Sequence, residues 1–423
     1  MAGVVTGPGG IPLPGNRWDL LDGRAPAEPP DVTVVIAHYE QPRQLAVTLA
    51  ALRSGAHPAA RLQIIVTDDG SAVPPAVPHG VELVRQRDEG FRLAAARNRG
   101  AAHARGDILV FLDADTVPEP DFISEIVRLP ALAPDVVAVG RRRHADLAGV
   151  GPSADIRLVA ETRMLPEPGW LSDAYRGSRN LLDVDDRSYR FVIGAAVACS
   201  RRFFEEVGGF DESFDSYGGE DWEWAYRAWL AGAVLAHVPT AVAWHDGPDA
   251  SAREESHATK NAEALRLADR IPVPGSRPRG IRSATADIVI IAPDSASGAA
   301  SFVSVDSAVA AVPGSEEADL ADVLAGAGRF DRVRIRIELL RPVRVSGSGL
   351  ADVVERVATE GLGQVVAVTS DETPVLRVVS VRAERRHRRW GRDDLFPDAV
   401  ESVPGVEALP DEVDVEGYLG GWW

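Results

Sequence analysis

Residues Ile108-Leu-Val-Phe-Leu112 form an apolar run that stops at two aspartates, Asp113 and Asp115. A run of this kind reads as a parallel strand buried on both faces. Its terminal carboxylates then emerge at the carboxyl edge of the sheet, where open α/β sheets bind ligands. Two carboxylates there can hold a divalent cation on a diphosphate. The Asp-x-Asp tripeptide alone discriminates little. Asp183-Val-Asp185 is a second copy, in a polar stretch with no strand before it, and reads as a decoy. The strand ahead of Asp113 makes the difference, together with two later segments, Gly218-Gly-Glu-Asp221 and Trp244-His245.

The pattern around that strand predicts a nucleotide-binding α/β half. Val32–Ala37, Leu62–Thr67 and Val81–Val84 read as strands, and Gln44–Ser54 and Leu93–Arg105 as helices, the second closed by Gly106. Strands alternating with helices at this spacing predict parallel βαβ units. Beyond them, Pro120–Arg128 and Glu220–Ala231 suggest helices, as does Ser251–Asp269 with Ser251 as its cap. Val136–Val139, Phe191–Cys199 and Val234–His237 suggest strands, and 141–190 a loop-rich region. Residues 1–30, rich in Gly and Pro, are expected to be a flexible lead-in. The composition of 271–280 is that of a linker, dividing a main domain, 31–270, from a smaller α/β domain, 281–423, of unassigned role. The basic run Arg382–Arg392 in that second domain reads as a solvated face.

Composition removes several classes. With 45 Lys and Arg against 63 Asp and Glu, the 423-residue chain carries a net charge of −18, which disfavours a nucleic-acid partner. No window supplies the roughly 18–20 apolar residues of a membrane-spanning helix. Met1–Pro14 lacks the basic and apolar regions of a signal peptide. The single cysteine, Cys199, excludes an internal disulfide and fits a reducing compartment. A cytoplasmic location is the expectation.

In this order, the motifs resemble those of glycosyltransferase family 2, enzymes of the GT-A fold. They are Val34-Val-Ile-Ala-His-Tyr-Glu40, Asp68-Asp-Gly-Ser71, Arg87–Gly100, Phe111–Pro118, Val207-Gly-Gly-Phe-Asp211, Gly218-Gly-Glu-Asp221 and Trp244-His245. Within the family the segment is most similar to chondroitin-polymerase-type and galactosyltransferase-like catalytic domains. The resemblance spans residues 31–270. It implies a Rossmann-like mixed sheet with helices on both faces.

It also implies roles. Ala37, Tyr39, Glu40, Asp69, Arg97, Asp113 and Ala114 would bind the nucleotide sugar. Asp115, Asp113 and His245 would hold Mn²⁺, or Mg²⁺, against the diphosphate, since a hard cation with oxygen and imidazole ligands stabilises the departing charge. Asp221 would remove the proton from the acceptor hydroxyl and Glu220 would orient it, with Trp222 and Gly219 contacting the acceptor. Each position also has a plainer reading. Asp69 fits a tight turn, Arg97 an exposed helix arginine, and His245 a strand-end or cap residue. Glu220 and Asp221 fit a helix N-terminus stabilised by its dipole. Trp229, seven residues after Trp222, has core spacing.

The expected activity is a soluble, metal-dependent, inverting transfer from a nucleotide-diphosphate sugar, UDP-linked, to a hydroxyl on a glycan or small molecule. The first loop reads Ala-His-Tyr-Glu where the family more often has Pro-x-Tyr-Asn, which leaves the base open. A sugar nucleotidyltransferase is the first alternative, but it expects a glycine-rich basic loop after the first strand, which Ala37–Arg43 is not. A non-catalytic nucleotide-sugar or glycan-binding scaffold is the second. The processive-synthase signature Gln-x-x-Arg-Trp is missing, which argues against a membrane-embedded polymerase. Donor sugar, acceptor, oligomeric state and single or repeated addition stay open.

Overall fold

The computed structural model describes residues 9–249, 257–294, 296–326, 328–410 and 412–420. The first sheet contains nine strands among them: β1 (Val32–His38), β2 (Leu62–Asp68), β3 (Val81–Arg85), β4 (Ile108–Asp113), β5 (Thr116–Pro118), β6 (Val136–Ala145), β7 (Met164–Leu165), β8 (Ala196–Ser200) and β9 (Val234–Asp246). Their order is β3-β2-β1-β4-β8-β6-β9-β5, with β7 paired to β6. β3, β2, β1 and β4 run parallel, as the alternation of elements predicts, and β8 is antiparallel to both β4 and β6. The sheet is therefore mixed.

Side chains of β4 alternate between two cores. Ile108, Val110 and Leu112 enter one, with Leu45, Leu49, Phe122 and Ile126 from the helices Pro42–Arg53 and Phe122–Leu132. Leu109 and Phe111 enter the other, with Phe204, Phe210 and Trp224. Helices thus cover both faces, and the apolar run is buried on each, as its composition requires. The helix Leu93–Ala102 lies close on β1: a Cβ at Gly100 would sit 2.3 Å from a methyl of Val35.

Four expectations need correction. The described part of the lead-in packs firmly: Leu13 and Leu21 are buried in the first core, and the Asn16 amide donates to the carbonyls of Leu181 (2.6 Å) and Leu235 (2.9 Å). The strand expected over Phe191–Cys199 begins only at Ala196, after a helical turn, Ser188–Phe191, because the backbone at Gly194 turns toward Asp221. The loop-rich region contains two helices, Ile156–Glu161 and Gly169–Gly177. The basic run is no solvated face: Arg382 and Arg386 are buried, the latter completely. The helix expected from Ser251 is described as His257–Arg270, and Ser251 lies outside the described residues.

The C-terminal part has its own mixed sheet. Its strands are β10 (Ile288–Ile291), β11 (Ser315–Glu317), β12 (Ile335–Leu339), β13 (Val343–Val345), β14 (Gln364–Val368), β15 (Pro374–Ser380), β16 (Asp398–Glu401) and β17 (Val406–Ala408), ordered β11-β10-β12-β15-β14-β16 with β13 and β17 pairing separately. Arginines tie it to the first part. Arg386 donates to Asp135 at 3.0 Å, both fully buried, and Arg332 reaches Glu223 at 2.8 Å. The Arg382 guanidinium lies 3.7 Å above the Trp229 ring. Arg334 bridges Asp287, 2.8 Å away, and Asp186. Ile271 and Val273, at the expected linker, are buried as well.

Candidate active site

Parallel pairing sets the ends of β1, β2 and β4 side by side, with Ala37 opposite Asp113 and His38 opposite Asp68. At this edge the two aspartates of Asp-Ala-Asp part company. Asp113 accepts from Arg97 at 2.9 Å, and the other arm of the same guanidinium donates to Glu220 at 2.9 Å. Arg97 is 2 % exposed, so a buried cation is held between two carboxylates and is no exposed helix arginine. Asp115 faces the other way. It accepts from the Gln41 amide at 2.9 Å, and its Oδ2 lies 3.8 Å from His245 Nε2. The antiparallel pairing of β5 with β9 produces that approach by placing Thr116 opposite His245. Ala114 between them is buried, and its carbonyl accepts from the Thr48 hydroxyl at 2.8 Å.

The helix Glu220–Leu230 delivers the next two groups. Gly218 and Gly219 have φ of +96° and +92°, a conformation that costs glycine little and lets the chain enter the helix abruptly. Asp221 accepts from the backbone amides of Gly194 (2.9 Å) and Trp222 (2.8 Å). Burial raises the pKa of both carboxylates. Glu220 is pushed up to about 7, by burial first and by the Asp221 charge second. Trp222 is only partly buried, whereas Trp229 lies in the core and donates to Asp186 at 2.7 Å.

The first two loops are held largely by internal bonds. The buried Asp68 lies 2.8 Å from His38 Nδ1, accepts from Arg85 at 2.8 Å and from the Ser71 hydroxyl at 2.5 Å. Asp69 accepts from the Gln86 amide (2.5 Å) and the Arg92 backbone (2.9 Å), and burial raises its pKa. Glu40, at φ +53°, accepts from the Ala72 amide at 2.6 Å. Tyr39 is half exposed, with its hydroxyl 3.4 Å from Asp88.

Two clusters therefore stand at one sheet edge. Arg97, Asp113, Glu220 and Asp221 form an anionic group around one buried cation. Asp115, Gln41 and His245 form a second group of oxygen and imidazole donors. Among the described residues, no three His, Cys, Asp or Glu side chains gather closely enough to hold a metal unaided. Asp115 and His245 offer one carboxylate and one imidazole, donors of the kind a divalent cation takes. Asp183 and Asp185 lie elsewhere, Asp183 paired with Arg179 and Asp185 in a turn with Ser188. Sequence reasoning missed Gln41 and Gly194. A polar residue just after the first-loop motif could have pointed to Gln41. Only the tertiary fold brings Gly194 to Asp221.

Residues 33–208 match the family model described as glycosyl transferase family 2, and residues 182–243 match one described as the N-terminal domain of galactosyltransferase. Among curated proteins, the hyaluronan synthase of Pasteurella multocida is 27% identical over 267 residues, 57% of this chain and 27% of that protein. The chondroitin synthase of Escherichia coli is 27% identical over 278 residues, 60% of this chain and 40% of that protein. The chain thus spans less than half the length of these relatives. Among solved structures, a mannosyltransferase from Pyrobaculum calidifontis in complex with GDP-Man and Mn²⁺ is 20% identical with a TM-score of 0.39, covering 60% of this chain and 66% of that one. No helix of the described residues is long and apolar enough to cross a membrane.

Proposed function

From a chain whose residues 33–208 carry the glycosyl transferase family 2 sequence, we propose a GT-A-type, metal-dependent, inverting glycosyltransferase. Its donor is a nucleotide-diphosphate sugar, UDP-linked, and its acceptor a hydroxyl group. The observation that carries this reading is the pairing of a basic carboxylate with a separate oxygen and imidazole set at the same sheet edge.

Asp221 is the base. Two backbone amides fix its orientation, and burial makes it more basic than an ordinary aspartate, as abstraction of a hydroxyl proton requires. The acceptor oxygen bonds to the anomeric carbon while the bond from that carbon to the diphosphate oxygen breaks. The acceptor proton passes to Asp221, and nucleotide diphosphate leaves. A single displacement of this kind inverts the anomeric centre. Arg97 holds Asp113 and Glu220 in place beside the base. Asp115 and His245 would hold Mn²⁺ or Mg²⁺, which supplies Lewis-acid stabilisation of the leaving group. Tyr39, Glu40 and Asp69 border the place assigned to the nucleoside.

Binding of UDP in the presence of Mn²⁺, followed by calorimetry, tests the donor half. EDTA and Asp115→Ala should each abolish most of the Mn²⁺-dependent affinity. Full UDP affinity and turnover in EDTA would remove the metal from the mechanism.

A further inference from the structure

A cavity of about 420 Å³ opens between the middle of β6, the helix Gly169–Gly177 and the turn that follows it. Ile193, whose neighbour Gly194 donates to Asp221, forms part of its wall, and so does Tyr175, which lies within the field of the Asp221 charge. Its size falls in the range that holds one small ligand. Four arginines line it, Arg141, Arg142, Arg176 and Arg179; among the described residues Glu167 is the carboxylate in the wall, and Asp249 behind it accepts from Arg142 at 2.8 Å. Glu167 is shared, accepting from Arg141 at 2.9 Å and from Arg143 at 3.3 Å. Among the described residues Arg176 and Arg179 pair with exposed aspartates, Asp173 and Asp183, contacts of little strength. A wall with four arginines stands out in a chain of net charge −18.

The backbone beside the cavity is strained. Arg179, Asn180 and Leu181 have φ of +52°, +59° and +65°, three successive non-glycine residues in the left-handed region. Such strain gathers at ligand clamps. Here it turns Arg179 and Asn180 into the wall, with Asn180 bound to His237 through its backbone carbonyl (3.0 Å) and its side-chain oxygen (2.9 Å). His237 lies flat against Tyr175, ring centroids 3.7 Å apart, and burial lowers its pKa to about 4, so the ring is neutral at ordinary pH. Its Nε2 has no hydrogen-bond partner among the described residues.

We propose that this cavity is the acceptor subsite and that it selects a hydroxyl compound carrying a negative charge, either carboxylate or phosphate. The subsite assignment rests on Asp221 being the base; the anion preference rests on the arginine wall alone. Ligand-observed NMR on the full chain separates the two. Methyl β-glucuronide and glucose 6-phosphate carry the charge, and methyl β-glucoside does not. At least one charged probe should bind about tenfold more tightly than the neutral one, a gain of the size a charge-assisted hydrogen bond supplies. Preference for only one of them identifies the anion. Arg141→Gln, at a half-exposed position, and Arg179→Asn, which keeps a residue tolerant of the left-handed conformation, should each remove most of the preference without lowering the melting temperature. Equal binding of all three probes overturns the proposal, as does a preference that survives both substitutions. Donor turnover is read separately. A charged-probe preference in a chain that turns over no donor supports the anion site and counts against glycosyl transfer.

Discussion

At the scale of single residues, Asp221 carries the sharpest expectation. Asp221→Asn keeps the size of the side chain but removes the base, and its single amide oxygen can accept from only one of the Gly194 and Trp222 amides. Turnover should fall by at least about a hundredfold, the lower end of general-base contributions, with nucleotide-diphosphate affinity unchanged. A variant that turns over normally would reduce Asp221 to a helix-capping residue. The pH profile gives a second reading. The base must be ionised, and burial favours its protonated form, so activity should rise with pH across a limb above the ordinary carboxylate range. Burial pushes both Asp221 and the adjacent Glu220 in this direction. An acid limb near pH 4 would contradict this. Residue types at the sheet edge were legible in the sequence because the apolar run located the edge. The opposite directions of Asp113 and Asp115 were not, since they depend on Arg97 and Gln41 arriving from other elements.

At the scale of elements, the turn before β8 matters most. A Cβ on Gly194 would stand 2.7 Å from Nη1 of Arg97 and 3.1 Å from its Cζ. That guanidinium is gripped by Asp113 and Glu220 and has little room to retreat. Gly194→Ala should therefore cost about 1–3 kcal/mol of stability, as overpacking does, and should lower kcat more than it weakens donor binding. Denaturant titration and steady-state kinetics check both; wild-type values of each would show that Arg97 yields freely. Strands β1, β2 and β4 were readable because each is a short, mostly apolar run buried on two faces. The strand expected from Phe191 was drawn too early because apolarity does not distinguish a strand from a buried turn serving a carboxylate.

At the scale of the whole molecule, the arginines of the C-terminal part change the meaning of the expected boundary. The composition of 271–280 suggests a separable domain. However, Arg386 and Asp135 are both fully buried, Arg332 and Arg382 brace the helix that begins with Glu220 and Asp221, and Arg334 holds Asp186, which accepts from Trp229 of that helix. Removing one partner of a buried pair costs about 3–5 kcal/mol, a large part of a typical stability of about 5–15 kcal/mol. Arg386→Ala should lose that amount in a denaturant titration. A fragment ending at Arg270 should fail to give a cooperative melt. Cooperative unfolding of that fragment with UDP binding intact would show that the second part is dispensable. A run of arginines looks alike in a sequence whether it faces water or buried carboxylates, so this interface could not be read in advance.

The central claim is glycosyl transfer from a nucleotide-diphosphate donor. Its most direct test is a panel of nucleotide sugars incubated with the full chain and Mn²⁺, read by release of free nucleotide diphosphate. One UDP-sugar should release UDP, and the release should vanish with EDTA and fall at least about a hundredfold in Asp221→Asn. No release from any donor, or pyrophosphate formed from a nucleoside triphosphate and a sugar phosphate, would contradict it.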